Sequence, residues 1–539
     1  MYDKSTQYQS PESQGMKLYI SIFITLIITG LGLSGCGTEY DLIIRGGNII
    51  DGSGQSTYIG DIGIKGNKIS MVGDLSSSSA SQEINANGLT VSPGFIDVHS
   101  HAGRGLIHED RSDAKNLLTQ GLTTVIINPD GGGYVDLNEQ DSALLEDGIG
   151  VNVIQMVPHG SVRLQVMGME DRLATPAEMD SMKLLIKNGM DQGAFGLSSG
   201  PFYAPGSFSD TEELVELTKV ISPYNGIYAS HIRDESNYTI GLEAAVDEVI
   251  TVAREAEVTG IVTHIKALGP PVWGKSVDII EKIETARSKG ISVYADQYPY
   301  NASATGLGAA LLPRWSQAGG RDALLKRLDH PDTLEMIKSE MAENLKRRGG
   351  ADRIQFRYFN LNTIEPGKSL QEMAEIWNKD PIETAITLLQ ESTSVGIISF
   401  NMNDEDVNRF MKQEWMMTCS DGSYPKWGSG VPHPRSIGSF PRKIRKYVNE
   451  EKVISMEKAI RSMTGLSADV FGIPERGYIK ESFIADIVIF DPDKLTDKAT
   501  FTEPFQLSEG IIYSIINGQL AIENSTFNDI RKGTIIKKK

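Results

Sequence analysis

Two histidines separated by one residue follow a predicted strand. Residues 95–98 form a short apolar run, and His99 and His101 come directly after it. Side chains at positions i and i+2 of an extended chain point to the same face, so both imidazoles can reach one ion. Neutral histidine is a ligand for Zn²⁺ and related divalent ions. The pair therefore indicates a candidate metal site.

Three further residues of the same chemical kind end other predicted strands. His231 follows residues 227–230, His264 lies within residues 261–265, and Asp421 follows residues 415–418. In a β/α barrel the C-terminal ends of the strands meet at one mouth, so these side chains are expected to converge there. A bound divalent ion lowers the pKa of water to about 7 and polarises a carbonyl group. A nearby carboxylate can take the proton of that water and pass it to a leaving amine.

Short apolar strands and amphipathic helical stretches alternate across the middle of the chain, which indicates a parallel sheet closed into a barrel. We predict an α/β fold with a (β/α)8 TIM-like barrel at residues 93–465, interrupted by a charged, helix-rich insertion at about 306–365. The predicted strands are residues 95–98, 123–127, 152–157, 194–197, 227–230, 261–265, 291–295 and 415–418. The predicted helices include residues 174–192, 211–223, 238–257 and 276–289.

Both ends of the chain have β-strand character instead. Residues 41–50, 61–64 and 68–72 predict short strands between glycine-containing turns, and comparable patterns return after about residue 464. We expect residues 36–92, which include a tether, and residues 466–539 to pair into one small β-sandwich domain beside the barrel. The basic end at residues 537–539 predicts a frayed tail.

The composition excludes several classes of function. The 539 residues carry a net charge of −18, and an acidic chain lacks the Lys/Arg patches that nucleic-acid binding requires. Two cysteines, Cys36 and Cys419, make neither a disulfide framework nor a thiolate zinc cluster. Any metal must therefore be held by His, Asp or Glu.

The N-terminal region has the pattern of an export signal. Met16 and Lys17 precede a short apolar run at residues 18–33, and the sequence then reads Ser34-Gly35-Cys36. Leu-Ser-Gly-Cys resembles the lipobox of bacterial lipoproteins, which implies cleavage after residues 1–35 and lipidation of Cys36. The chain would then be exported and anchored to a bacterial membrane, on the periplasmic face or the cell surface. An uncleaved helical anchor is the alternative.

Several motifs resemble the amidohydrolase superfamily and, within it, the N-acyl-D-amino-acid deacylases, also called D-aminoacylases. The resemblance covers residues from about 40 to 491 and implies a metal-dependent barrel enzyme with a small-molecule substrate. The motifs are SPGFIDVHSH (92–101), GLTTVI (121–126), GLSSGPFYAPGSFSD (196–210), SHIRDE (230–235), THIKALG (263–269), DQYPY (296–300), SDGS (420–423), HPRSIGSFPR (433–442) and MTGLSADVFGIPERGYIKESFIADIVIFDP (463–492).

The resemblance also implies roles for individual residues, with one or two Zn²⁺ ions as the cofactor. It matches His99 and His101 to one metal position, His231 and His264 to another, and Asp421 to a catalytic acid/base that also approaches a metal. The implied and candidate substrate-binding residues are Lys266, Tyr298, Arg233, Tyr203, His159 and His433. A guanidinium suits a substrate carboxylate, although Arg233 could instead pair with Asp234 or Glu235, and His159 and His433 could be structural.

Two departures from related enzymes are informative. Many D-aminoacylases carry a cysteine ligand after the second barrel strand, where this chain has Asp130, so we predict that Asp130 is a ligand. A turn aspartate in Pro-Asp-Gly is the alternative. Hydantoinase-like enzymes use a carboxylated lysine on an early strand, whereas here the fourth strand ends in Ser198-Ser199.

These observations predict hydrolysis of an N-acyl-D-amino acid or a related D-configured amide. Dipeptide or cyclic-amide hydrolysis by the same superfamily is one alternative, and a non-catalytic ligand-binding lipoprotein is another. The sequence leaves open the acyl group, the amino acid, D versus L preference, the identity and number of the metal ions, the oligomeric state and the membrane face.

Overall fold

The computed structural model describes residues 39–359 and 366–539, so the predicted signal segment and Cys36 lie outside the described residues. Eight parallel strands form the central barrel. They are Phe95–Asp97, Leu122–Ile127, Asn152–Gln155 continued by Val157–Pro158, Gly196–Ser199, Ile227–Ser230, Thr259–Val262, Val293–Gln297 and Met416–Thr418. The backbone amide of Asp421 donates to the carbonyl of His99 at 3.0 Å and closes the ring between the last strand and the first.

Alternate residues of each barrel strand face two different cores. Ile227 and Ala229 belong to the cluster inside the barrel, whereas Tyr228, between them, packs among the surrounding helices. Both faces are covered, which explains why these strands read as continuous apolar runs without polar alternation.

Helices connect the strands around the outside of the barrel. Thr175 and Glu178 form a capping box that starts the helix Pro176–Asp191, with proline in its first turn. The helices of this layer are Gly103–Leu106, Lys115–Leu118, Leu137–Leu145, His159–Met167, Pro176–Asp191, Thr211–Thr218, Leu242–Glu255, Ser276–Ser288, Asp404–Met411, Arg435–Arg442, Met456–Met463 and Gly465–Phe471. None of the helices within the described ranges combines the length and apolar character needed to cross a bilayer.

Strands from the two ends of the chain form one nine-stranded sheet. Ile487–Phe490, from the C-terminal part, lies antiparallel to Thr90–Pro93, from the N-terminal part. The remaining strands are Tyr40–Ile49, Tyr58–Lys65, Lys68–Gly73, Ala80–Asn85, Ile511–Ile516, Gln519–Glu523 and Thr526–Phe527. The predicted fold class, a barrel with a small β domain built from both ends, is confirmed.

The insertion is longer than the predicted 306–365. It contains a three-stranded antiparallel sheet in which Val395–Ser399 lies between Ser303–Gly306 and Ile354–Phe359. Its helices are Leu307–Leu311, Gly320–Asp329, Pro331–Arg347, Leu370–Trp377 and Pro381–Glu391. The central strand pairs with segments distant in sequence, which a five-residue apolar run does not reveal.

The C-terminal tail is ordered, so the prediction of a frayed end is wrong. The backbone amides of Val153 and Ile536 bond to the carbonyls of Thr534 and Val153 at 2.9 and 2.8 Å, and that of Lys538 bonds to the carbonyl of Gly193 at 3.0 Å. These bonds fasten the tail beneath the N-terminal ends of two barrel strands. The buried Ile536 joins the cluster inside the barrel.

Candidate active site

Asp130 lies at the centre of four histidines above the C-terminal ends of the strands. Its Oδ1 is 3.2 Å from His99 Nε2, 3.3 Å from His264 Nε2 and 3.6 Å from His231 Nδ1. Its Oδ2 is 3.3 Å from His101 Nε2. One carboxylate therefore contacts the imidazoles of all three histidine-bearing strand ends that the sequence singled out.

Asp421 faces the first histidine pair from the opposite side. Its Oδ1 lies 3.3 Å from His101 Nε2 and 3.8 Å from His99 Nε2. Its Oδ2 forms an ion pair with Arg435 Nη1 at 2.7 Å. The residues proposed from scattered strand ends thus meet in space.

The spacing and partners of these atoms fit divalent ions. Ligands about 2.0–2.1 Å from a tetrahedral zinc stand about 3.3 Å from one another, close to the separations around Asp130. Ligand atoms of His99, Asp130, His264 and Asp421 lie within 4.8 Å of one another. Among the described residues, His99 Nε2 and both ring nitrogens of His231 are buried without a hydrogen-bond partner. Unpartnered buried nitrogens are unfavourable unless a ligand satisfies them.

Three of these residues have a left-handed backbone, with φ of 55° at Asp130, 35° at His264 and 48° at Asp421. Residues other than glycine seldom adopt this conformation, and such positions cluster at functional sites. The backbone amide of His264 donates to Asp296 Oδ1 at 2.6 Å. The strands that precede Asp130, His264 and Asp421 therefore each end in a sharp turn, and this turn places the side chain at the barrel mouth.

The loop carrying Asp130 is held by the fourth strand. Ser198 Oγ donates to the carbonyl of Asn128 at 2.6 Å and accepts from the amide of Gly131 at 3.2 Å. Gly200 passes so close that an added Cβ would stand 2.3 Å from the Asp130 carbonyl oxygen. The fourth strand, which ends in serines and carries no lysine there, thus positions Asp130.

The electrostatics favour charged carboxylates in this cluster. Burial alone would raise the pKa of Asp130, but His99 and His264 hold it well below its usual value. Burial opposes ionisation of Asp421 as well, yet Arg435 and His264 lower its pKa. Burial disfavours charge on His101, but hydrogen bonds to Asp130 and Asp421 raise its pKa to about 9. The carboxylates are therefore ionised, as metal ligands and a general base must be.

Glu235 completes the cluster behind two of the histidines. Its Oε1 is 3.3 Å from His264 Nδ1 and 3.7 Å from His231 Nε2, and it pairs with Lys266. A carboxylate behind a ligating imidazole fixes the orientation of the ring. From the sequence, Glu235 was expected only as a possible partner of Arg233. Its position four residues after His231, within the motif SHIRDE, was the available signal.

The cluster forms the floor of a cavity of about 750 Å³. Of the predicted residues, His101, Asp130, His231, Lys266, Tyr203, Tyr298 and Asp421 line it. Five arginines that were not among the predicted site residues also line it, Arg104, Arg111, Arg348, Arg357 and Arg435. Arg435 was visible in the HPR motif, whereas Arg348 and Arg357 belong to the insertion and carried no signal.

Two predicted substrate-binding residues serve the scaffold instead. Arg233 Nη2 pairs with Glu248 Oε1 at 2.8 Å, and its Nη1 donates to the carbonyl of Ser209 at 2.8 Å. His159 Nε2 lies 3.0 Å from Glu213 Oε1, and its side chain is fully buried. Both have buried carboxylate partners on neighbouring helices, so neither faces the cavity.

His433 is likewise outside the cavity lining. Its Nε2 bonds to the carbonyl of Ala302 at 3.0 Å, and its Nδ1 accepts from the backbone amide of Arg435 at 3.0 Å. Of the two roles considered for His433, substrate contact or a structural role, these bonds favour the structural one. His433 positions the backbone of Arg435, which does reach the cavity.

Comparisons with known proteins agree with this geometry. A family model described as "Amidohydrolase family" matches residues 82–522. The chain is 32% identical to an N-acyl-D-glutamate deacylase of Alcaligenes xylosoxydans xylosoxydans over 89% of this chain and 93% of the relative. It is 31% identical to a D-aminoacylase of the same organism, over 92% of this chain and 97% of the relative. A crystal structure of N-acyl-D-glutamate deacylase from Bordetella bronchiseptica, complexed with zinc and a phosphonate inhibitor, superposes with a TM-score of 0.80 at 29% identity, covering 93% of this chain and all of the other.

Proposed function

The chain belongs to the amidohydrolase family, and from that premise we propose that it is a zinc-dependent hydrolase of the amide bond in N-acyl-D-amino acids. The similar relatives are named for this reaction on D-configured substrates. The observation that carries the proposal is the convergence of four histidines and Asp421 on Asp130 in the floor of a substrate-sized cavity.

The donor set offers ligands for up to two ions, with Asp130 in contact with both histidine pairs. We assign His99, His101 and Asp421 to one zinc position, His231 and His264 to the other, and Asp130 to both. Zinc bound there would polarise the substrate carbonyl and acidify a water molecule. Glu235 would hold the rings of the second histidine pair in place.

Asp421 is the proposed general base and acid. Because Arg435 keeps its carboxylate charged, Asp421 can accept a proton from the attacking water. It then delivers this proton to the amide nitrogen, so that the amine leaves in neutral form. Asp421 lies 3.3 Å from His101 Nε2, so it would stand close to a water molecule activated by zinc at this position.

Three side chains form the proposed pocket for the substrate α-carboxylate. The guanidinium of Arg435 lies 4.7 Å from the centre of the Tyr298 ring, and Lys266 Nζ lies 5.7 Å from it. Arg435 thus takes the role that the sequence analysis gave to Arg233. A planar guanidinium beside an ammonium group suits a carboxylate.

The test is a substrate panel with the zinc-loaded full chain. We expect hydrolysis of N-acetyl-D-amino acids and weaker turnover of L enantiomers, dipeptides and hydantoins. Asp421→Asn should lose about 10²–10⁴-fold in kcat while keeping zinc, as measured by elemental analysis. Asp322→Asn, an exposed aspartate on the insertion, is the matched control. Faster turnover of a dipeptide or hydantoin, or full activity in Asp421→Asn, would refute the proposal.

We also propose that the chain is exported and carries a lipid on Cys36. The basic start at Lys17, the short apolar run and the Leu-Ser-Gly-Cys sequence support it. Full-length protein made in a bacterium should incorporate labelled palmitate and sediment with membranes, and Cys36→Ser should do neither. Equal labelling and sedimentation of Cys36→Ser would rule out this anchor.

A further inference from the structure

Two arginines of the insertion line the cavity roof. Arg348 follows the helix Pro331–Arg347, and Arg357 lies on the strand Ile354–Phe359. Arg348 is only 1% exposed, and its Nη1 donates to Ser399 Oγ at 3.0 Å. The Nε atoms of both arginines are buried without a hydrogen-bond partner. Both guanidinium groups therefore retain hydrogen-bonding capacity inside the cavity.

These two charges also lack carboxylate partners within the described part of the chain. By contrast, Lys266 pairs with Glu235 and Arg435 pairs with Asp421. Asp130, the remaining carboxylate of the lining, is surrounded by histidines. All three acidic side chains of the cavity thus have closer cationic or histidine partners, and none of them forms an ion pair with Arg348 or Arg357.

A cation held out of water without an anion is energetically unfavourable. Burial lowers the pKa of Arg357, and the like charge of Arg435 lowers it further. A ligand that brings an anion to the roof would relieve this cost. Guanidinium groups bind carboxylates with two parallel hydrogen bonds, so the expected anion is a carboxylate.

We propose that the preferred substrate carries a second carboxylate, besides its α-carboxylate, and that Arg357 and Arg348 bind it. This inference rests on the proposed function and names its substrate class. The second carboxylate can belong to the side chain of the D-amino acid or to the acyl group. The relatives of 30% identity or more are named for N-acyl-D-glutamate, for D-amino acids in general and for N-acyl-D-aspartate, so identity alone does not choose between acidic and neutral substrates. The unpaired arginines of this chain favour an acidic one.

Paired substrates test the proposal. N-acetyl-D-glutamate is compared with N-acetyl-D-glutamine, and N-succinyl-D-alanine with N-butanoyl-D-alanine, so each pair differs in one carboxylate. We expect kcat/KM to be about tenfold or more higher for the acidic member of one pair, the size of effect typical of a charge-assisted hydrogen bond. That pair identifies whether the side chain or the acyl group carries the charge.

Variants then connect the preference to the arginines. Arg357→Met and Arg348→Met should each bring the acidic-to-neutral ratio of kcat/KM towards one. Arg353→Met is the matched control, because Arg353 belongs to the same insertion but donates to the carbonyl of Phe400 at 3.4 Å and does not line the cavity. It should keep the wild-type ratio.

Three outcomes would overturn the inference. Equal kcat/KM within both substrate pairs for the wild-type chain would overturn the inference. This result needs no variant, so it does not depend on whether a variant folds. Equal losses on both members of a pair in Arg357→Met would assign that arginine to the α-carboxylate or to the scaffold. If no N-acyl-D-amino acid is hydrolysed, the proposed function fails as well. Turnover without an acidic preference removes only the second-carboxylate site.

Discussion

Asp130 offers two oxygen atoms at the centre of the candidate site. Its Oδ1 faces His99, His231 and His264, whereas its Oδ2 faces His101. The two oxygens can therefore serve different parts of the donor set, whereas a thiolate offers a single sulfur atom. Oxygen is also a harder donor than sulfur, so we expect this site to accept Mn²⁺ or Co²⁺ more readily than a thiolate-containing site does.

The charge of Asp130 should decide how many ions the site holds. In Asp130→Asn the side chain keeps its size, and asparagine tolerates the left-handed backbone. We expect zinc content to fall from two ions to at most one per chain and kcat/KM to fall more than about 100-fold, beyond the usual effect of losing an outer-shell partner. Asp136→Asn, at the exposed start of a helix where asparagine caps equally well, is the control. Two zinc ions in Asp130→Asn would contradict the assignment.

Lys443 provides a separate test of burial and charge. It is 2% exposed, and among the described residues its ammonium group bonds to the hydroxyl groups of Thr418 and Ser462, at 2.6 and 2.8 Å. Burial lowers its pKa to about 7, against about 10.4 in an unfolded chain. The folded state therefore binds fewer protons between these values, and its contribution to stability rises with pH through that window.

Replacing this lysine should remove the pH dependence. The free energy of unfolding of wild type relative to Lys443→Met should rise by about 1.4 kcal/mol for each pH unit between pH 7.5 and 9.5. Denaturant unfolding at several pH values measures it. Lys412→Met, at an exposed helix end, should show no such slope. A flat difference for Lys443→Met would mean that the lysine remains protonated in the folded chain.

At the scale of elements, the helices outside the barrel are linked by buried charges. Glu213, on the helix Thr211–Thr218, bonds to His159 and Arg163, which belong to the helix His159–Met167. Arg163 is fully buried and also donates to the carbonyl of Arg172 at 2.6 Å. The ion pair fixes these two helices against each other, which explains why His159 is unavailable to a substrate.

Breaking that link should destabilise the fold and leave the chemistry intact. Glu213→Gln leaves a buried guanidinium without its counter-ion, which typically costs about 3–5 kcal/mol of unfolding free energy. The folded fraction should keep its kcat and KM. Glu212→Gln, the adjacent exposed position, is the control and should change stability by less than about 0.5 kcal/mol. A raised KM with unchanged stability would restore His159 as a substrate-binding residue.

For the whole molecule, the cavity and the chain terminus occupy opposite ends of the barrel. The site lies at the C-terminal ends of the strands, whereas residues 534–538 bond beneath the N-terminal ends. The candidate active site and the contacts that hold the C-terminal tail therefore lie at opposite ends of the barrel axis. The small β domain is held together by the antiparallel pairing of Thr90–Pro93 with Ile487–Phe490.

Removing the tail should therefore affect stability alone. Deletion of residues 534–539 removes three backbone hydrogen bonds and the burial of Ile536, which together contribute about 3–6 kcal/mol. We expect a lower Tm by calorimetry, with kcat/KM unchanged at temperatures where the variant is folded. Removal of Lys539 alone is the control. Lost activity with an unchanged Tm would show that the tail influences the site directly.

The sequence by itself determined the barrel and the metal-binding core. Strand length, apolar runs and helix periodicity are local properties, and a parallel barrel brings every strand end to one mouth. His99, His101, His231, His264 and Asp421 therefore required no knowledge of distant contacts. Asp130 was predicted from the resemblance, which implies a cysteine ligand at this place after the second strand.

Only the tertiary structure decided which charged residues face the cavity. Arg233 pairs with Glu248, and His159 pairs with Glu213, because helices bring those carboxylates close. Arg348 and Arg357 reach the roof because the insertion folds back over the mouth through pairing of Val395–Ser399 with strands on both sides. Such partnerships depend on distances between residues far apart in the chain, and no local pattern encodes them.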